Sequence, residues 1–71
     1  MEYIVIWWFG EVQHQTVVKD GDWGWSENVW LEKAARAQFA KERWSDVEIE
    51  VSIADMQQFG DWELVSVTRE I

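Results

Sequence analysis

Trp44-Ser45-Asp46-Val47-Glu48-Ile49-Glu50-Val51-Ser52-Ile53 alternates apolar and polar residues from Val47 to its end. A period of two marks a β-strand with one face toward a core. On this reading Val47, Ile49, Val51 and Ile53 point inward, while Asp46, Glu48, Glu50 and Ser52 project from the other side. The three carboxylates then form a row of fixed negative charge on a sheet surface. The surroundings carry the same sign: from Trp44 to Thr68 there are six carboxylates (Asp46, Glu48, Glu50, Asp55, Asp61, Glu63) and no Lys, Arg or His.

Glu2 to Phe9 is β-branched and aromatic on both faces, with Tyr3, Val5, Trp7 and Phe9 on one and Ile4, Ile6 and Trp8 on the other. Such a strand belongs inside its sheet. Gly10-Glu11 reads as a turn, and Val12 to Val18 as a second, more polar strand returning antiparallel. Lys19-Asp20-Gly21-Asp22 breaks the pattern, and Trp23-Gly24-Trp25 leads to Ser26, a good helix N-cap. From Glu27 to Arg43 strong helix formers dominate, with Lys41 and Arg43 in the last turn, where cations suit the helix dipole. Trp30, Leu31, Ala34, Ala35, Ala37 and Gln38 share one broad face, and Glu32, Arg36 and Arg43 lie opposite. Small alanines there complement the bulky tryptophans of the first strand, so a larger residue at Ala34 should be poorly tolerated.

Beyond the acidic segment, Asp55 to Asp61 reads as irregular, with Gly60 as a breaker, and Trp62 to Ile71 as a last strand in which Val65, Val67 and Ile71 share a face. The predicted order is β-β-α-β-β. This is an α+β fold, an antiparallel sheet of about four strands with one helix on one face. Phe9-Gly10-Glu11 and Phe59-Gly60-Asp61 both sit where a hairpin would turn, a hint of two similar halves.

The 71 residues make one domain, residues 1–71, and without cysteine it has neither a disulfide framework nor a thiolate zinc site. Its core material is aromatic: seven Trp, three Phe and one Tyr. A formal charge of −8 argues against nucleic acid or an anionic membrane as a direct ligand. The longest apolar run, Tyr3 to Phe9, is too short to span a bilayer, and Glu2 stands where a signal peptide would be basic. The expectation is a soluble, cytoplasmic protein.

No residue pattern announces chemistry. His14 is the only histidine and has no spaced partners for general-base or metal duty. Asp20-Gly21-Asp22 resembles the opening of a calcium loop, but Trp25 and Leu31 stand where glycine and a bidentate Glu are needed, leaving turn chemistry. The expectation is a non-enzymatic protein with no cofactor and no metal.

What the sequence offers is a surface. Outside the predicted helix there are eleven acids against two bases (Lys19 and Arg69), a segregation that suits electrostatic steering of a basic partner. Seven tryptophans are too many for one small core, so some of Trp8, Trp23, Trp25 and Trp62 should anchor a binding surface, where Trp is enriched and where its ring attracts Lys or Arg. The candidate partner-binding set is Asp46, Glu48, Glu50, Asp61, Trp62, Glu63 and Trp8.

Side chains along one strand face repeat at about 6.6–6.8 Å. Phosphates advance about 3.4 Å along a DNA strand. Nucleic-acid mimicry therefore needs a second file of carboxylates beside the first, for which Asp55, Asp61, Glu63, Glu2 and Glu11 are available. In size, charge and architecture the chain resembles the small proteins with which phages block host machinery, including inhibitors of CRISPR effectors and of RNA polymerase. That resemblance implies occupation of a basic, nucleic-acid-binding surface on another protein. The alternative is a structural subunit or homo-dimer that associates through its two-sided apolar first strand.

Overall fold

A computed structural model of the chain describes Met1 to Glu70. Its elements are β1 (Glu2–Phe9), β2 (Val12–Val18), α1 (Glu27–Lys41), α2 (Asp46–Phe59) and β3 (Trp62–Glu70). The three strands form one antiparallel sheet in the order β2-β1-β3. The two-sided apolar strand is thus the central one. Gly10 supplies the positive φ, 59°, at the first position of the two-residue β1–β2 turn.

The class is α+β, but the order is β-β-α-α-β, with three strands rather than four and two helices rather than one. The expected acidic strand is the first half of α2, and the expected irregular stretch from Asp55 is its second half. Burial explains the difference: Ile49, Ile53 and Met56 are buried at i, i+4 and i+7, whereas Val47 and Val51 are 73% and 56% exposed. Only alternate members of the apparent β pattern face the core.

Two local devices fix the break between the helices. At the end of α1 the N–H of Trp44 donates to Phe39 O (3.0 Å) and that of Arg43 to Ala40 O (3.1 Å). With Arg43 at φ 67° this is a Schellman motif. Its customary apolar contact is present as the Trp44 ring stacked on Phe39, centroids 4.2 Å apart. One residue later Ser45 caps α2: its Oγ accepts from the Glu48 N–H (3.3 Å) and the Glu48 carboxylate accepts from the Ser45 N–H (2.8 Å), a reciprocal capping box. Gly60, at φ 66°, closes α2 with its N–H on Met56 O (2.9 Å).

The core lies between one sheet face and the helices. Tyr3, Val5, Trp7 and Val18 meet Trp30, Leu31, Ala34, Ala35 and Phe39 of α1 and Ile49, Ile53 and Met56 of α2. A polar chain crosses it: Trp7 Nε1–H donates to Thr16 Oγ1 (2.9 Å), and the Thr16 hydroxyl donates to Gln38 Oε1 (3.0 Å), joining β1, β2 and α1. At one end Tyr3, Trp23, Trp25 and Trp30 form an aromatic cluster. Gly21 lies so close beneath it that a Cβ there would sit 2.5 Å from Trp30 and 2.7 Å from Tyr3.

A β-bulge interrupts the β1–β3 ladder, since Trp7 pairs with Leu64 but Ile6 with Ser66. Val65 is the extra residue and is exposed, while Val67 packs against the core, so the two do not share a buried face. Ile71, expected to join them, lies outside the described residues. Gly10 and Gly60 are not equivalent turns of two halves: one closes a hairpin and the other a helix.

Candidate acidic and aromatic binding surface

The sheet presents its second face to solvent. Ile4, Ile6 and Trp8 run down the middle of it, with Val17, Gln15 and Gln13 opposite them on β2 and Thr68, Ser66 and Glu63 on β3. Directly opposed residues of an antiparallel pair share a face, so Glu2 and Glu70, which pair at one end, and Glu63, which pairs with Trp8 at the other, rim this apolar stripe with negative charge.

The Trp8 end is shaped. Gly10 N–H donates to Asp61 O (2.7 Å), which ties the hairpin turn to the start of β3. With no side chain at Gly10 or Gly60, a shallow notch of about 520 Å³ remains, lined also by Trp8, Asp61, Trp62 and Glu63. Trp8 is 36% exposed, whereas Trp62 is half-buried against the core and forms a wall. Among the described residues neither Asp61 nor Glu63 has an ion-pair partner.

The fold therefore divides the candidate set in two. Trp8, Asp61, Trp62 and Glu63 come together at one notch. Asp46, Glu48 and Glu50 do not form a row, because on a helix successive residues turn by about 100° and alternate ones diverge. Two of them are also occupied. The Glu48 carboxylate caps its own helix, and the hydrogen bond it accepts from the Ser45 N–H is the largest influence holding it below the usual carboxylate range. Glu50 accepts from Arg36 at 2.8 Å, and Arg36 also reaches Glu32 at 3.2 Å. The hydrogen bond to Glu50 is the largest influence holding the guanidinium proton more tightly than usual. With this row dissolved, the first file required for nucleic-acid mimicry is gone.

Other singled-out residues have structural places. His14 is half-buried on β2 and stacks on Trp7, centroids 4.8 Å apart. Asp22 accepts from the Gly24 N–H at 2.8 Å, the Asx-turn chemistry expected of that loop. Trp23 is exposed at the edge of the aromatic cluster, and Trp25 packs against Trp30. Among the described residues no group of three His, Asp or Glu is placed to hold a metal ion, and no helix is long and apolar enough to cross a membrane.

Sequence reasoning missed α2 and the grouping at the notch. A signal for the first was present: Ser45-x-x-Glu48 before an apolar run is a helix start. For the second there was none, since only the β1–β3 register places Trp8 beside Glu63. Comparison with protein families, with curated proteins and with solved structures finds no match for the chain.

Proposed function

We propose that the protein is a small non-enzymatic binding protein of the inhibitor type, acting in the cytoplasm, that lays the open face of its sheet on a basic surface of another protein and obstructs it. The observation that carries this reading is the side-by-side placement of Trp8 and Glu63 on an uncovered face, with Asp61 at the same notch and no cation neutralising either acid. A Lys or Arg from a partner can lie on the Trp8 ring while its charge meets the two carboxylates, and each contact strengthens the other. Ile4 and Ile6 continue the contact as an apolar strip with an acidic rim. A nucleic-acid-binding surface is the kind of basic target such a patch suits, in line with the phage anti-host proteins that the chain resembles in size and charge.

Relative to the sequence-based expectation, the field comes from Asp61, Glu63, Glu2 and Glu70 rather than from Asp46, Glu48 and Glu50. Face-to-face pairing of two copies through Ile4, Ile6 and Trp8 is disfavoured, since an isologous contact sets the same acidic rim against itself.

A fluorescently labelled oligo-arginine peptide, titrated at low and high salt, tests the reading. Binding should weaken as salt rises, fall about tenfold in Trp8→Ala and in Asp61→Asn/Glu63→Gln, and stay unchanged in Asp46→Asn/Glu50→Gln. Equal binding by all four proteins, or none at low salt, defeats it.

A further inference from the structure

The sign of the surface inverts at one place. The chain has three lysines, Lys19, Lys33 and Lys41, and all three line a single cleft of about 600 Å³ between the outer edge of β2 and α1. Asp20 is the one acid on its walls. Among the described residues none of these lysines forms an ion pair, in a protein carrying fourteen acids. A random scatter of so few cations over so acidic a chain would place them beside carboxylates. Here they are gathered on one cleft without pairing, and the Lys33 ammonium lies over the Trp25 ring, 5.6 Å from its centroid.

The floor of the cleft is a sheet edge. With the order β2-β1-β3, one side of β2 has no strand neighbour, so alternate residues from Gln15 to Val18 turn backbone N–H and C=O groups outward. Across from that edge stand Lys33, Ala37 and Lys41, at i, i+4 and i+8 on one stripe of α1. The small Ala37 between the two lysines leaves room for another backbone. An edge strand faced by a helix across an open groove is the arrangement in which extended peptides add to a sheet.

The spacing fits such an occupant. Lys33 and Lys41 are eight residues apart on a helix that rises about 1.5 Å per residue, roughly 12 Å. Residues i and i+4 of an extended peptide on one side are separated by about 13 Å. Two acidic side chains at that interval would each reach one lysine while the peptide backbone bonds to β2.

We propose that this cleft receives an extended acidic segment of a partner protein, which joins the sheet as a fourth strand beside β2 with its carboxylates against Lys33 and Lys41. The site is distinct from the acidic face, takes the opposite charge, and stands or falls independently of it. Lysines also serve to discourage accidental pairing at edges, but such residues sit on the edge strand itself. Two of these three sit on the helix across the cleft.

The experiment is fluorescence anisotropy with a labelled peptide of alternating Thr and Glu, eight residues long. The unmodified protein should bind it in a salt-dependent manner, with amide chemical-shift changes confined to β2, Lys19 and the Lys33–Lys41 face of α1. Lys33→Glu/Lys41→Glu should weaken binding about tenfold or more, and Lys33→Gln/Lys41→Gln less. Ala37→Phe, which fills the cleft, should abolish it. A version of the peptide N-methylated at alternate residues, with the donors to β2 removed, should lose most of its affinity. Asp61→Asn/Glu63→Gln should bind the peptide unchanged. Equal affinity for the methylated peptide, retention in the Glu double variant, binding of oligothymidine at least as tight, or a dimer joined through β2 in light scattering would each overturn the proposal.

Discussion

Thr16 shows how much can rest on one hydroxyl. It is buried, accepts from the fully buried Trp7 indole and donates to Gln38, so every hydrogen-bonding group in that line is satisfied. Thr16→Val keeps shape and strand preference but strands the indole N–H away from water, and chemical denaturation should register a loss of about 1–3 kcal/mol. Thr16→Ser, which keeps the hydroxyl, should lose less. Glu48 is the opposite kind of residue, exposed and yet committed. Its folded carboxyl is more acidic than in the unfolded chain, so its ionic contribution to stability is fully present above the ordinary glutamate range. It disappears as pH falls through the lower, folded value. Glu48→Gln retains a capping side chain without the charge. The melting-temperature advantage of the unmodified protein over this variant should therefore be constant near neutrality and shrink to nothing in acid. At this scale Ser45-x-x-Glu48 was readable as a cap, but acid–apolar alternation spoke louder, because Val47 and Val51 count as core in any pattern that ignores burial.

Among the elements, β1, β2 and α1 were legible, since their composition and turn residues agree with their packing. The chain after Arg43 was not, and the cause is one backbone position. A Schellman ending is usually announced by glycine at the left-handed residue, and here that residue is Arg43. The helix therefore reads as continuing to Arg43, and the segment after it reads as a strand. The compensation is visible in the Trp44–Phe39 stack, which holds the ending in place without glycine. A side chain at positive φ still has a cost, so Arg43→Gly should stabilise the protein by about 0.5–1 kcal/mol after glycine's own entropy loss. Arg43→Ala, which keeps a Cβ, should bring no such gain, and parallel thermal melts of the two variants provide the check. Legibility also failed at β3, where the bulge at Val65 shifts one half of the strand by a residue and defeats a strict period-two reading.

For the molecule as a whole, the sign and size of the charge were legible, but its distribution was not. An acidic total of −8 conceals an arrangement with a carboxylate-rimmed apolar face on one side of the sheet and a lysine-lined cleft at its β2 edge. Four of the seven candidate residues converged because register, which no single strand reveals, carried Trp8 to Glu63. The other three dispersed because a helix points its residues in all directions.

The strand order carries a consequence for how the chain is made. Of the three strands the central one is synthesised before its neighbours and β3 after both, so the sheet stays incomplete until Trp62 and the residues after it have cleared the exit tunnel. Nascent chains arrested at Phe59 should therefore remain open to protease, and resistance should appear in a single step once Glu70 is outside.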